Sequence, residues 1–163
     1  MRRIVISLLL CISFIVITSS ESYAAARVLS WNLVDSKKHM DWDGKTKYSK
    51  EFRSAIKVWN NYKKGVIRKD SLRTWQDVVV SDYYEVSNTA GVTSMYGTIQ
   101  FNKYNMDKLP SNYRKNVCIH ELGHALGLAH NTQNDIMYAY TTSRVKLSKN
   151  DKASYNYAYK YLY

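Results

Sequence analysis

The sequence predicts a single α+β domain, and three observations support that class. The chain has 163 residues, 45% of them hydrophobic and only one proline, which suits one modest core and is short for two. Short β-branched or apolar stretches recur through its first two thirds. Helical periodicity appears once between those stretches and twice after them. No internal repeat, low-complexity linker or change of composition interrupts residues 27–163, which are taken as one domain.

Residues 1–26 stand apart. Arg2 and Arg3 precede an apolar run over 4–17, and small residues follow at 19–26, the pattern of a secretory signal peptide. Cleavage fits after Ala24 or after Ala26. The apolar run is shorter than the ~20 residues of a membrane-spanning helix, and Ser7 and Ser13 interrupt it, so export with cleavage is expected rather than anchoring. Removing this segment removes Cys11 and leaves Cys118 alone, so the mature chain has no internal disulfide. A small exported domain without one needs another staple, and a bound metal is among the few available.

Twenty-four Lys and Arg oppose 13 Asp and Glu; without Arg2, Arg3 and Glu21 the balance is 22 against 12, a net charge of +10. So basic a chain suits association with anionic surfaces. Its cations are scattered rather than gathered in a block, which argues against a dedicated nucleic-acid site. A monomer is expected.

Along the mature chain, residues 28–34 are β-branched and apolar enough for a first strand. The polar stretch 35–47 reads as a loop closed at Asp43 and Gly44. Residues 48–62 place Phe52, Ala55, Ile56, Trp59 and Tyr62 at helical spacing, with Gly65 just past the end. Residues 66–68 and 74–81 follow as strands, the second containing Val78, Val79 and Val80, a run suited to a sheet buried on both faces. Residues 91–96 and 97–102 are two further strands, each opened by a glycine. Pro110 ends a loop, Ser111 or Asn112 can cap a helix, and Val117, Leu122, Ala125 and Leu126 form its apolar side until Gly127 stops it. Ser148 and Asp151 form a capping pattern for a last helix from Lys149 onward. Against that helix, Tyr155, Tyr157, Tyr159, Tyr161 and Tyr163 alternate with the period of a strand.

The chemistry concentrates in residues 120–130, His-Glu-Leu-Gly-His-Ala-Leu-Gly-Leu-Ala-His. His120 and His124, four apart on a helix, lie on one face at a separation suited to two ligands of a tetrahedral metal. Glu121 is the next residue round, close to such a metal without occupying a coordination position. Gly127 lets the chain turn sharply through a left-handed conformation and brings His130 back to the other two. Three neutral histidines and an open fourth position describe a catalytic zinc site, because structural sites close the fourth position, often with cysteine. Cys118 is the one candidate for that closure, but its offset of two from His120 points it elsewhere, and it reads as a core residue.

This motif resembles the signature of the metzincin zinc peptidases, and the chain looks most similar to a minimal, bacterial-type matrixin reduced to its catalytic domain. Looser matches are Trp59, residues 97–102, and Leu147, Ser148 and Asp151 opening the last helix. The resemblance implies a zincin-like fold: a twisted, mixed and mostly parallel sheet with an active-site helix and a C-terminal helix. It implies one catalytic zinc on His120, His124 and His130, Glu121 as general base, and Met137 in a tight turn packing below the imidazoles. The implied activity is endopeptidase cleavage of protein or peptide substrates. Ala139 and Asn131 depart from the patterns of related groups. Many matrixins also bind structural calcium; Asp41 and Asp43 could contribute, although a solvated turn is the preferred expectation there.

A different class competes: a secreted binding module that keeps zinc for stability and holds an anionic surface or wall polymer. Glu121 discriminates, since a purely structural site has no use for a carboxylate beside the metal. Residues 131–146 are expected to shape the substrate pocket.

Overall fold

The computed structural model describes residues 25–71 and 75–163, so the expected signal over 1–26 lies almost wholly outside the described residues. Strand β1 (Met40–Gly44) leads into helix α1 (Ser49–Tyr62), followed by β2 (Ile67–Lys69), β3 (Val78–Tyr83), β4 (Gly91–Ser94) and β5 (Thr98–Asn102). A short helix α2 (Lys103–Met106), the long α3 (Ser111–Ala125) and α4 (Lys149–Tyr161) complete the chain. The sheet order is β2-β1-β3-β5-β4. Every pairing is parallel except the hairpin of β4 with β5, which leaves β4 at one edge. The mixed, mostly parallel sheet expected from the sequence is present.

Alternation decides what each strand buries. In β3, Val78 and Val80 face the core and Val79 faces outward. Helix α1 buries Phe52, Ala55 and Trp59, the positions its periodicity selects, and exposes Lys50, Arg53 and Lys57 on its other side. Phe52 meets Trp42 and Phe101 edge-on at centroid distances of 5.0 and 6.0 Å. The Trp59 indole donates to the Ile119 carbonyl at 3.0 Å, which binds α1 to α3 at the level of the histidine motif.

Two expectations are corrected. Residues 28–34 form no strand and pair only through an isolated bridge of Val28 with Leu128. They run instead along the end of α3, where Leu33 and Leu29 donate to the carbonyls of Ala125 and Gly127 at 2.8 Å each. Carbonyls at a helix end have no partner within the helix, and this segment satisfies them. The first strand lies in the presumed loop, at Met40–Gly44, where Asp41 and Asp43 gave it a polar look. Asp41 is buried and accepts two hydrogen bonds from the Arg68 guanidinium at 2.8 and 2.7 Å. Asp43 pairs with Lys69 at 2.7 Å. These two calcium candidates are therefore both engaged by cations across the β1–β2 pair rather than lying in a solvated turn.

Smaller differences have local causes. Pro110, not Ser111 or Asn112, occupies the cap position of α3, and the Ser111 hydroxyl donates to Glu51 instead. The tyrosine alternation does not make a strand. The capping box of Ser148 and Asp151 starts a helix, and along it Tyr155 meets Tyr159 edge-on, and Tyr157 meets Tyr161 at a tilt, four residues apart. Among the described residues no helix is long and apolar enough to cross a membrane.

Candidate metal centre and active-site cleft

Helix α3 and the turn after it bring the three histidines together. Its last residues give way to Gly127 at φ 82°, a left-handed position that reverses the chain and returns it toward the helix. The imidazoles of His120, His124 and His130 then stand with centroids 4.6, 5.2 and 4.9 Å apart. One ring nitrogen of each lies within 4.8 Å of the others.

Backbone carbonyls orient two of the rings. Nδ1 of His120 faces the Ile136 carbonyl at 2.9 Å and Nδ1 of His124 faces that of Leu128 at 2.8 Å. A neutral ring that donates from Nδ1 has its lone pair on Nε2, so both rings present acceptors to the centre. Burial, with the neighbouring His124 charge, lowers His120 to about 3, and burial lowers His124 to about 4, which keeps both neutral at pH 7. Nε2 of His124 lies 3.2 Å from Nε2 of His130. A tetrahedral centre with nitrogen ligands at ~2.0–2.1 Å separates two of them by about 3.3 Å. The three nitrogens thus suit zinc in type, the His120 and His124 rings in tautomer, and the His124–His130 pair in spacing.

Glu121 is buried beside them, between α3 and the edge strand β4. Burial raises its carboxyl to about 7, opposed by a hydrogen bond from Thr93. The Thr93 hydroxyl is 2.7 Å from Glu121 Oε2 and 2.9 Å from the Glu121 carbonyl oxygen. Gly91, two residues earlier, leaves room for the same side chain: a β-carbon there would fall 2.9 Å from Glu121 Cγ and 2.9 Å from Oε1.

Met137 is fully buried, and its sulfur packs directly on Gly123, between His120 and His124 in sequence. The turn that carries it is held by Asp151. The Asp151 carboxylate accepts from the amides of Ile136 and Met137 at 2.9 and 3.2 Å while also closing its own capping box at Ser148. Because the Ile136 carbonyl faces His120, this carboxylate is one peptide away from a metal-site ring.

A cleft of about 440 Å³ opens over the histidines and Glu121, walled on one side by β4 and on the other by residues 138–141. Part of the 131–146 stretch expected to shape the pocket does line it. Buried Asn116 pins that wall to α3: its amide donates to the Arg144 carbonyl at 2.8 Å and its oxygen accepts from the Thr142 amide at 2.9 Å. Cys118 is buried as expected, away from the centre, and burial holds its thiol well above the ordinary range.

The Matrixin peptidase family matches residues 77–160, a span running from β3 through α4 and covering the whole cleft. The chain belongs to this family of zinc metallopeptidases. Comparison with curated proteins finds no match.

Four residues around the site escape sequence reasoning: Gly91, Thr93, Asn116 and Gly123. Gly123 left a signal, since a glycine in mid-helix costs about 1 kcal/mol and calls for a packing reason. The other three left none, because their partners lie far away in the chain.

Proposed function

We propose that this chain is an exported endopeptidase in which His120, His124 and His130 hold one zinc ion and Glu121 is the general base. The observation that carries the proposal is a buried carboxylate opening on the same cleft as three imidazoles that each bring a ring nitrogen within 4.8 Å of the others. When bound, zinc supplies a Lewis acid that polarises a carbonyl and acidifies water. The protein's own residues do the rest. Glu121 accepts the proton of the attacking water and delivers it to the departing amine nitrogen. His120 and His124 stay neutral and oriented through the Ile136 and Leu128 carbonyls. Met137 fills the space beneath the rings.

Substrate would lie extended along β4, whose far side has no strand partner among the described residues, as one more strand held by backbone hydrogen bonds. Export is supported by the pattern over 1–26. Contact with an anionic surface is supported by exposed Lys50, Arg53 and Lys57 on one face of α1. A purely structural zinc is not favoured, since Cys118 is buried in the core and cannot close the site.

The test is cleavage of an unstructured protein such as casein by the mature chain. Glu121→Gln is expected to lower turnover by about 10²–10⁴-fold while zinc remains bound, and a chelator is expected to abolish it. Near-normal turnover by Glu121→Gln would remove the mechanism.

A further inference from the structure

The edge strand does more than offer a backbone to substrate. Its register with β5 pairs Gly91 with Phe101, Val92 with Gln100 and Thr93 with Ile99. The Asn102 amide donates to the Ala90 carbonyl at 2.9 Å, which makes Ala90 and Asn102 a hydrogen-bonded pair. In an antiparallel ladder such pairs alternate with pairs whose amides and carbonyls point away from one another. Val92 therefore bonds inward to β5, and Gly91 and Thr93 turn their backbone groups toward the open edge.

The side-chain alternation of a strand places the same two residues against α3. Gly91 contributes the space in which the Glu121 side chain lies, and Thr93 contributes a hydroxyl on Oε2. The two positions whose backbone faces the cleft edge are thus the two positions that shape the surroundings of the carboxylate.

We infer that Thr93 is a positioning residue for Glu121, holding its carboxylate against β4 so that a substrate docked on this strand is registered to the base. This rests on the proposed role of Glu121. The hydroxyl donates to Oε2 when the carboxylate is ionised. The same hydroxyl lies 2.9 Å from the Glu121 carbonyl oxygen, so it touches both the backbone and the carboxylate of this residue from β4. The Thr93 methyl adds bulk but no polarity, so the argument concerns the hydroxyl alone.

The experiment compares Thr93→Val, which keeps the shape and removes the hydroxyl, with Thr93→Ser, which keeps the hydroxyl, in zinc-loaded mature protein. A hydrogen bond to a charged group is strong enough that Thr93→Val is expected to lower kcat roughly 10- to 100-fold with KM within about twofold, and Thr93→Ser to stay within about threefold of the parent. Zinc content should remain one per chain, and a crystal structure of Thr93→Val should show the Glu121 carboxylate turned away from β4. If the valine variant does not fold, Thr93→Ala removes the same hydroxyl without a second branch and reads the same quantities. The inference is overturned by a hydroxyl-free variant with kcat within about threefold of the parent, by Thr93→Ser falling as far as Thr93→Val, or by a carboxylate that has not moved. Glu121→Gln run alongside separates the two claims. If it is inactive while Thr93→Val is fully active, only the role of Thr93 fails; if it keeps turnover, the base assignment fails first.

Discussion

Gly123 occupies mid-helix in α3, where alanine is favoured over glycine by about 1 kcal/mol on propensity alone. Gly123→Ala should therefore stabilise the protein if the helix were all that mattered. The packing predicts the opposite. A β-carbon at this position would overlap Met137 Sδ, lie 3.1 Å from Met137 Cε and 3.2 Å from Trp59 Cζ2. Both neighbours are fully buried, so neither can move into solvent to make room. Overpacking a tight core costs roughly 1–3 kcal/mol, and the upper end applies where a sulfur must be displaced; after the propensity gain the net loss is about 2 kcal/mol. Met137→Ala alone should cost roughly 2–5 kcal/mol through the cavity it leaves. In that background the main obstacle to the new methyl is gone, and Gly123→Ala should be neutral or stabilising by up to about 1 kcal/mol. The two changes should therefore be coupled by about 2–3 kcal/mol. Urea unfolding of the four proteins, followed by tryptophan fluorescence at one saturating zinc concentration, measures the coupling without a difference in metal occupancy. Additivity within ~0.5 kcal/mol would refute the claim that glycine is there to admit the methionine.

Two further outcomes concern carboxylates that organise the frame around the site. Burial alone would raise the Glu51 carboxyl, but the Ser111 hydroxyl and the Arg114 guanidinium hold it below its ordinary value. Its folded value thus lies below its unfolded one, so its contribution is complete above the ordinary glutamate value of 4.5 and is lost as pH falls through the folded value. The stability advantage of the parent over Glu51→Gln should accordingly shrink as pH falls below 4.5, as read from urea midpoints; an advantage that grows on acidification would reverse the assigned sign. Asp151→Asn turns one of two accepting oxygens into a donor facing backbone amides, at an expected cost of about 3 kcal/mol. Because the Ile136 peptide links Asp151 to His120, zinc affinity in competition with a chelator should also fall about 10–100-fold. Unchanged affinity with lowered stability would confine Asp151 to the fold.

Where the sequence was informative, residues close in the chain carried the signal. His120, Glu121 and His124 share one helix, and Gly127 marks the turn to His130, so their convergence follows from helical geometry and one left-handed residue. The α4 helix was decided by a capping box three residues wide against a tyrosine pattern of the wrong period. Strand β1 shows the opposite case. Asp41 looks like a loop residue until Arg68, 27 positions away, neutralises it, and no local pattern discloses that pairing. Residues 28–34 mislead for a related reason: extended backbone needs partners, and composition does not say whether those are a neighbouring strand or the bare carbonyls at a helix end.

The same distinction separates the metal centre from what holds it. Each proposed ligand could be named from spacing, but Asp151 could be read locally only as a cap, and its second task, holding the Met137 turn, depends on a contact 14 residues away. Thr93 reaches Glu121 across 28 residues from a strand whose sequence requires only that it alternate. Gly123 is the exception that indicates how such contacts become legible. A residue that costs its own helix stability implies a neighbour that compensates, and in this fold the neighbour is the buried Met137.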